Sequence, residues 1–349
     1  MRVLFMTDCH WSQYSSIVRS RGKCYSTRLE NLIDSINWVE QLAWNTGCTA
    51  IVCGGDFFDS CQLNSEEISA LKNIQWAPIS HVFITGNHET NVGSLEFSTA
   101  DLFTLCPNSV VISKPEYYHI ENEDVEFCFL PYILERDRQP ISVYFPPKTE
   151  KRIIFSHNDL KDVQYGPFLS TEGFTVEEIE SRCDLCMNGH IHSCAYVSQK
   201  IINGGNLTGQ NFTEDASKFD HCVQVIDTST MKVDFYLNPY AFNFYKLDYT
   251  DVDNESTFLN NISRLKPHAV ITVKVNSEFA QTAKDLLSQT TKDKIEEYRL
   301  IVEYDSTKND DTLTPVIEAV DHLQQFEKYI LVNIGDSDII KEELANVMR

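Results

Sequence analysis

Short apolar runs alternate with helical patterns through the first half of the chain. Thr27 and Glu30 form a capping box, and apolar residues then recur at helical spacing. Ser65–Trp76 and Ser94–Leu105 show similar helical patterns. Strands alternating with helices indicate a layered α/β fold. The short runs that predict buried strands are Val3–Met6, Ala50–Cys53, His81–Thr85, Ile153–Ser156 and Leu185–Met187.

The pattern changes in the second half. Strands dominate from about residue 196 to residue 237, and Val223–Asp227 and Lys232–Leu237 are the clearest of them. After Pro239 strands and helices mix, which predicts a small α+β domain followed by a helical tail. The predicted elements are a strand at Ala269–Val275, a helix at Ser277–Gln289, a strand at Arg299–Tyr304, and helices over residues 314–329 and 336–348.

Each of the five predicted strands in the first half is followed directly by polar side chains. In α/β sheets the carboxyl ends of strands are where sites are built, so we expect these side chains to converge. Glycines accompany most of them and allow the chain to turn sharply. In strand order the polar residues are Asp8 and His10, Asp56 and Asp59, Asn87 and His88, His157, and His190 and His192.

These positions hold more ligands than one metal ion needs. Two aspartates, one asparagine and four histidines can ligate, with one more histidine beside them. Mixed nitrogen and oxygen ligands without thiolate favour Mn²⁺, Fe²⁺ or Zn²⁺ over Mg²⁺. Two such ions sharing a bridging carboxylate would clamp a phosphoryl group and activate a water near neutral pH. The pattern therefore predicts a two-metal hydrolytic site.

Taken singly, each motif has an ordinary structural explanation. Asp-x-His can be a cap or a surface pair, and Gly-Asn-His-Glu can be a turn. Their joint occurrence, always after a strand, favours the metal site. Cys183-x-x-Cys186 resembles a zinc knuckle, but we interpret Cys183, Leu185 and Met187 as one buried face. The acidic loop Asp305–Asp311 is interpreted as a solvated charge run and not as a cation site.

Charge limits the kind of nucleic-acid binding that can be expected. Lys and Arg total 29 against 51 Asp and Glu, a net charge of −22 at pH 7. A free-standing, sequence-independent DNA binder normally has a basic surface, so a polyanionic substrate would need neutralisation by metals, a small basic patch or a partner.

Composition also indicates the cellular compartment in which the protein is expected. The eleven cysteines lack the framework of a small secreted domain. No apolar run reaches the roughly 18 residues of a membrane helix, and the first apolar run is too short for a signal peptide. We expect reduced thiols, no membrane partner and a cytoplasmic location, which would be the host cytoplasm if a phage encodes the chain.

In their order, the motifs resemble the signature of the calcineurin-like metallophosphoesterases. They are Asp-x-His, Gly-Asp-x-x-Asp, Gly-Asn-His-Glu, a lone His and Gly-His-x-His, and the resemblance covers roughly residues 1–240. It implies a two-sheet α/β/β/α sandwich and two divalent metal ions, Mn²⁺ first, with Mg²⁺, Fe²⁺ or Zn²⁺ as alternatives. The implied roles are one ion held by Asp8, His10, Asp56 and His192, a second held by Asp56 (bridging), Asn87, His157 and His190, and a catalytic acid at His88.

Within that superfamily the chain is most similar to the SbcD-type exonuclease subunit of DNA double-strand-break processing complexes, a group that includes the phage recombination endonuclease subunit. The likeness rests on Asp-Cys-His-Trp at residues 8–11, Gly-Gly-Asn-Leu-Thr at residues 204–208, and the domain that follows. It implies a nuclease domain over 1–240, a DNA-capping α+β domain over 241–312, and C-terminal helices over 313–349. The implied partners are DNA and a coiled-coil ATPase subunit of the SbcC type, which those helices would bind.

Two departures keep alternatives open. Many cellular SbcD-type members have His three residues after the bridging aspartate, where this chain has Asp59, so the balance of exonuclease and endonuclease action stays open. Asp59 can also be a supporting or turn-capping carboxylate. Protein phosphatases place Arg-Gly where this chain has Ser60-Cys61, which argues against that activity. A phosphoprotein phosphatase, a nucleotide phosphodiesterase and a catalytically silent scaffold are the alternatives.

Self-association and the tail are further open points. Residues 336–348 form an amphipathic pattern that would dock either on the preceding helix or on the ATPase. The apolar faces of the two helices predicted at 65–76 and 94–105 would either cover the sheet or pair two subunits, as in the family. Their apolar residues are Ile68, Leu71, Ile74, Leu95, Leu102, Phe103 and Leu105.

Overall fold

Two six-stranded sheets lie face to face, with helices on their outer sides. The computed structural model describes residues 1–15, 18–91, 94–120, 123–165, 168–218, 220–251 and 254–303. The predicted helices at 314–329 and 336–348, the acidic loop at 305–311 and the whole 313–349 segment lie outside these residues.

The strands are short, and those predicted in the first half lie within two residues of their expected bounds. They correspond to β1, β2, β3, β9 and β12 below. In chain order the strands are β1 (Arg2–Met6), β2 (Ala50–Cys53), β3 (Ser80–Ile84), β4 (Thr90–Asn91), β5 (Ser94–Ser98), β6 (Ser109–Ile112), β7 (Glu116–His119), β8 (Val125–Leu130), β9 (Lys151–Ser156), β10 (Gln164–Tyr165), β11 (Phe168–Leu169), β12 (Leu185–Asn188), β13 (Ala195–Tyr196), β14 (Ile201–Asn203), β15 (Cys222–Asp227), β16 (Lys232–Leu237), β17 (Asn243–Tyr249), β18 (Ala269–Asn276) and β19 (Ile295–Glu303).

In the described part of the chain, helices are fewer than strands, and most of them are short. Among the described residues, none is both long enough and apolar enough to cross a membrane. The α-helices are α1 (Thr27–Asn45), α2 (Ser65–Leu71), α3 (Ile141–Tyr144), α4 (Val176–Glu180), α5 (Glu255–Arg264) and α6 (Ala280–Gln289), and Thr99–Leu105 and Glu135–Asp137 are 3₁₀ helices.

Parallel strands form the centre of both sheets. The first sheet has the order β16-β15-β1-β2-β3-β6, and the second has the order β13-β14-β12-β9-β8-β7. Strands β1, β2, β3 and β6 run parallel, as do β8, β9, β12 and β14. The carboxyl ends of the parallel strands therefore share one edge in each sheet. The loops that carry the predicted ligands leave from these edges, after β1, β2 and β3 in the first sheet and after β9 and β12 in the second.

Alternating side chains on each strand build three apolar layers. On β1, Phe5 faces the second sheet and packs with Phe155 of β9, at a ring-centroid distance of 5.9 Å. Leu4 faces the opposite way, toward α1. A third core, which includes Ile154 of β9 and Ile179 of α4, covers the outer face of the second sheet. The structure confirms the predicted α/β/β/α sandwich.

A third sheet follows the sandwich. Strands β17, β18 and β19 run parallel and share an apolar core with α5 and α6. A small cluster joins this sheet to the loop after β1: Val18 packs with Phe242, Phe244 and Val270. The mixed α and β character predicted after Pro239 is thus present, whereas the predicted domain bounds stay predictions.

The helix predicted over Ser94–Leu105 is wrong in its first half. Ser94–Ser98 is β5, which pairs antiparallel with β4. Only Thr99–Leu105 is helical, as a 3₁₀ turn whose first amides are capped by Ser98, since Ala100 N donates to Ser98 Oγ at 3.1 Å. Residues 94–98 therefore form a strand that pairs with β4, although their apolar residues have helical spacing.

Other helix and strand ends are also displaced. Ser26, not Thr27, caps α1, since its Oγ accepts from Leu29 N at 3.2 Å. Helix α2 ends at Leu71 and does not continue to residue 76, and α6 begins at 280, three residues later than predicted. Strand β19 begins at 295, four residues before the prediction, because it pairs with the whole of β18.

The predicted shared face of Cys183, Leu185 and Met187 is wrong. Leu185 and Met187 face the other sheet, whereas Cys183 and Cys186 lie in the outer core. Cys183 precedes β12, so the two-residue period of that strand does not apply to it. Both thiols are fully buried among apolar side chains, which supports their interpretation as structural residues.

The residues considered for self-association divide into two groups. Ile74 and Phe103 are buried, and Leu71 and Leu102 pack against the same core, so these four cover the first sheet. Ile68 and Leu105 are 46% and 80% exposed. The side chain of Leu95 lies outside the described residues.

Candidate metal centre

The polar residues predicted after five strands lie together at one end of the sandwich. Asp8 N donates to Gly55 O at 3.1 Å and His10 N donates to Asp56 O at 2.9 Å, so the loops after β1 and β2 stay paired beyond the strands. Gly55 has φ +100°, and a Cβ there would lie 2.2 Å from His157 Nδ1, which belongs to the other sheet. Glycine at this turn therefore lets loops of both sheets approach each other.

Four residues of this centre have a left-handed backbone although none is glycine. The φ angles are 51° at Asp8, 49° at His10, 50° at Asp56 and 74° at His190. Such conformations cost roughly 1–3 kcal/mol each and persist only where the surrounding structure enforces them. Their concentration at the strand ends marks this region as functional.

The first cluster of candidate ligands combines one aspartate with two histidines. Asp8 Oδ1 lies 3.8 Å from His10 Nε2 and 3.9 Å from His192 Nε2. The two imidazole Nε2 atoms are 3.2 Å apart. Three ligand atoms thus face one point between the loops after β1 and β12.

The second cluster combines Asp56 with Asn87 and two histidines. Asp56 Oδ2 is 3.1 Å from His157 Nε2. Asn87 Oδ1 lies 3.2 Å from the same nitrogen and 2.9 Å from His190 Nδ1. Because Asp56 Oδ2 is also 4.0 Å from His10 Nε2, this oxygen stands between the two clusters, as a bridging ligand would.

The two clusters fit divalent cations. Asp8 Oδ1 is fully buried and makes no hydrogen bond among the described residues, and a buried carboxylate oxygen is costly without a partner. The ligand atoms of Asp8, His10 and His192 lie within 4.8 Å of one another. The same holds for Asp56, His157 and His190. Carboxylate, amide and imidazole donors suit Mn²⁺, Fe²⁺ or Zn²⁺.

Acceptors behind three histidines decide which ring nitrogen faces the centre. A carbonyl or carboxylate behind Nδ1 keeps the proton on that atom, so Nε2 presents its lone pair to a metal. The bonds are His157 Nδ1 to Gly54 O at 2.7 Å, His192 Nδ1 to Glu214 Oε1 at 2.8 Å and His10 Nδ1 to Asp59 Oδ1 at 3.0 Å.

Three supporting carboxylates escaped the sequence analysis. Glu214 stands behind His192, and Asp159 Oδ2 is 3.3 Å from Nε2 of His190. Glu89 is buried and accepts from Gly86 N at 2.8 Å, as well as from amides of the loop after β2. Glu89 ends the Gly-Asn-His-Glu motif and Asp159 follows two residues after a predicted ligand, so both had a sequence signal. Glu214 had none.

Carboxylates in the centre favour the protonated forms of His10 and His157. Burial by itself would raise the pKa of Asp8, but its interactions with His10 and the charge of His157 lower that pKa to about 2. Burial opposes protonation of the histidines, yet the carboxylates raise the pKa of His10 to about 10 and that of His157 to about 9. Cations and protons compete for these nitrogens, so cation affinity should rise with pH up to this range.

His88 differs from the other histidines in its exposure. Its side chain is 43% exposed, and its amide donates to Asp56 Oδ1 at 2.9 Å. The ring Nδ1 donates to the carbonyl of Asp59 at 3.1 Å, so Nε2 is the ring atom that the predicted catalytic acid would use. Asp59 thus accepts from His88 through its carbonyl and contacts His10 through its carboxylate. Both contacts agree with the prediction that Asp59 is a supporting carboxylate.

Comparison with known proteins agrees with this geometry. The sequence profile of the calcineurin-like phosphoesterases matches residues 1–194, which is more than half of the chain. The chain belongs to the calcineurin-like phosphoesterase family. No curated protein matches its sequence.

Two solved structures align with about two thirds of this chain at low sequence identity. The first is TT1561 of Thermus thermophilus, with 11% identity over 68% of this chain and 98% of that chain, at a TM-score of 0.40. The second is a dimetal phosphatase from Danio rerio, with 12% identity over 64% of this chain and 91% of that chain, at a TM-score of 0.37.

Family membership and the two clusters together describe a metal-dependent phosphoester hydrolase. All seven predicted ligands and His88 lie in the centre, although their individual roles remain predictions. Enzymes of this family bind two divalent cations, whose positive charge would balance the carboxylates of the two clusters. The donor set favours divalent ions that prefer nitrogen and oxygen ligands.

We expect Asp56→Asn and His88→Ala to separate metal binding from turnover. Asp56→Asn removes the negative charge of the carboxylate that lies between the two clusters, so metal content and phosphoester hydrolysis should both be lost. His88→Ala should retain the metals and lose about 10²–10³ in rate, as for loss of one transition-state group. Metal analysis and rate measurement of both variants test this, with exposed His119→Ala as control. Equal metal loss in the two variants would contradict the assignment.

We expect Glu214→Gln to weaken metal binding although Glu214 is not a ligand. Loss of the carboxylate behind His192 should lower metal affinity about 10–100-fold, the usual cost of losing an orienting partner. Asp215→Asn is the matched control, because that neighbouring carboxylate faces Ser217 instead. Calorimetric titration with Mn²⁺ measures both; similar affinities for the two variants would show that Glu214 does not orient the ligand.

Proposed function

We propose that this chain is a two-metal DNA phosphodiesterase, the nuclease subunit of an SbcCD-like recombination or repair complex. Family membership supports phosphoester hydrolysis. The contact between the third sheet and the segment that orients His192 is the observation that favours DNA diesters as substrates.

The third sheet is anchored beside the metal centre. Ala216 N donates to Phe244 O of β17 at 3.0 Å, and Lys266 Nζ donates to Ala216 O at 2.6 Å. Glu214, two residues before Ala216, accepts from His192. On the other side, Ser20 N donates to a Glu297 carboxylate oxygen of β19 at 3.3 Å. An extra domain fixed to two loops of the centre suits a long polymeric substrate better than a small phosphomonoester.

The charges beside the centre also favour a diester. Ser60 follows the second aspartate of Gly-Asp-x-x-Asp, where protein phosphatases have a phosphate-gripping arginine. A monoester dianion carries one more charge than a diester and depends more on such a cation. A diester can be bound with the metal ions as the main positive charges in an otherwise acidic chain.

The chemistry divides between the ions and the side chains. When bound, two divalent ions clamp the phosphoryl oxygens and lower the pKa of a water. Asp56 holds the two clusters at a fixed separation, and the carboxylates behind the histidines prevent ring rotation. His88, held by the Asp59 carbonyl, is placed to give a proton from Nε2 to the leaving sugar oxygen.

We expect manganese-dependent cleavage to favour diesters. Bis-p-nitrophenyl phosphate should be hydrolysed faster than p-nitrophenyl phosphate, and 5′- and 3′-labelled single-stranded and duplex DNA should be degraded. His88→Ala should lower the rates of both activities by about 10²–10³ under the same conditions. Monoester preference would favour the phosphatase alternative, and absence of turnover with bound metal would favour the scaffold.

An ATPase subunit is the partner that we propose for the tail. The sequence pattern at 336–348 is amphipathic, and all predicted metal ligands precede residue 193. Deletion of residues 334–349 should therefore leave manganese-dependent diester cleavage intact and remove ATPase binding and ATP-stimulated duplex degradation. Pull-down of a co-expressed SbcC-type ATPase measures this. Binding with full-length affinity would show that the tail is only a packing segment.

A homodimer is the second association that we propose. Ile68, Phe97 and Leu105 are 46%, 74% and 80% exposed near the segments considered for pairing. Light scattering at micromolar concentration should give about twice the chain mass of 40.1 kDa. Phe97→Lys with Leu105→Lys should restore the monomer, whereas Val143→Lys, at another exposed apolar position, should not. A wild-type monomer would exclude this dimer.

A further inference from the structure

Two thiols from different sheets meet beside the metal centre. Cys194 Sγ and Cys222 Sγ are 3.1 Å apart. Cys194 directly precedes β13 of the second sheet, and Cys222 is the first residue of β15 in the first sheet. Cys194 is partly exposed, while Cys222 is buried. An oxidant in solution can therefore reach one member of the pair.

Neighbouring groups hold both sulfur atoms in place. Gln224 Nε2 donates to Cys222 Sγ at 3.3 Å and to Gly204 O at 3.1 Å, and it lies 3.6 Å from Cys194 Sγ. Gly205 packs tightly on the backbone of Cys194, since a Cβ on Gly205 would lie 2.6 Å from Cys194 N. The two thiols thus stay in contact without a covalent bond.

We propose that Cys194 and Cys222 are a redox modification site that forms a reversible disulfide across the two sheets. Sulfur atoms in a disulfide are about 2.05 Å apart, so side-chain rotation must close about 1 Å from the present contact. This proposal does not depend on which phosphoester is the substrate, because it concerns the loop that carries His192.

A hydroperoxide is the oxidant class that suits this geometry. The sulfur of Cys194 attacks the peroxide, the O–O bond breaks, and with hydrogen peroxide the products are a Cys194 sulfenic acid and one water. The sulfur of Cys222 then attacks the sulfenic sulfur, the S–O bond breaks, and a second water leaves. One peroxide is reduced for each disulfide formed, and a thiol reductant reverses the reaction.

Both ends of the proposed bond connect to the support of His192. Cys194 follows His192 by two residues. Cys222 follows His221, whose Nδ1 is 2.8 Å from Asn206 Oδ1, and Asn206 Nδ2 donates to Glu214 at 3.0 Å. Glu214 in turn accepts from His192. A covalent link between the ends would limit how far this ligand loop can open.

Other cysteines supply internal controls. Cys53 contacts Cys9, but both are buried, so this pair should remain reduced in the native protein. Cys24 and Cys61 are exposed on loops and should be oxidised without affecting the proposed link. Formation of a disulfide should thus require both contact between the two thiols and access of the oxidant, and neither alone should suffice.

Peptide mapping of the oxidised full-length chain tests the proposal. The protein is treated with hydrogen peroxide, alkylated and digested without reductant. We expect one linked peptide pair that contains Cys194 and Cys222. Its mass should be two hydrogen atoms below the summed masses of the two reduced peptides, and dithiothreitol should separate it. Cys194→Ser and Cys222→Ser should each abolish it, and Cys24→Ser with Cys61→Ser should retain it. Cys194 as sulfinic or sulfonic acid beside an alkylated Cys222 would overturn the proposal.

A stability measurement keeps the test independent of the serine variants. Oxidised wild type should unfold at a higher temperature than reduced wild type, because the link connects positions 28 residues apart in the chain. Dithiothreitol should remove the increase. Amide exchange of residues 190–195 should slow in the oxidised form. An unchanged midpoint together with unchanged exchange would overturn the idea that the link restrains the ligand loop.

Discussion

The buried carboxylate of Asp56 is the group on which the rest of this centre depends. Its Oδ1 accepts from the amide of His88 at 2.9 Å, and its Oδ2 lies between His157 and His10, at 3.1 and 4.0 Å from their Nε2 atoms. A desolvated carboxylate needs partners in several directions. Here those partners come from the loops of three other strands, β1 and β3 in the first sheet and β9 in the second, so the sandwich must close before the group is satisfied.

The sandwich supplies the stability that these loops lack. Left-handed backbone at Asp8, His10, Asp56 and His190 is unfavourable locally. Each of these residues follows a strand whose side chains are buried in the apolar layers on both faces. A close-packed core resists the small movements that would relax the loops, and the ligand atoms therefore remain clustered. Fold and centre are thus energetically coupled.

Negative charge continues beyond the ligands themselves. Asp59, Asp159 and Glu214 each stand behind a histidine, and Glu89 is buried under the loops, where burial and then Asp56 raise its pKa to about 7. Asp59, Asp159 and Glu214 orient the rings, and the concentration of carboxylates makes the centre attractive to cations and repellent to anions. In a chain of net charge −22, the attraction for any phosphate-containing substrate must therefore come from a local source of positive charge, such as bound cations.

Local sequence pattern determined the parts of this protein that depend on local chemistry. Five buried strands, the polar residues that cluster at their ends and the change of character after Pro239 could all be predicted, because strand period, glycine turns and polar motifs are visible in short windows. The same reasoning misplaced the cap of α1 by one residue and gave residues 94–98 a helix. The start of α1 is set by the hydrogen bond from Leu29 N to Ser26 Oγ, and residues 94–98 form a strand because they pair with β4.

Only the tertiary structure decided which distant groups meet. Glu214 lies in a loop without a motif, yet it orients His192, and Cys194 and Cys222 carry no spacing that indicates their contact. Leu185 faces the core between the sheets because of the register of β12 in its sheet, which composition does not encode. The physical reason is common to all three. Side-chain direction and long-range contact depend on how strands are ordered and paired, and a local pattern contains neither.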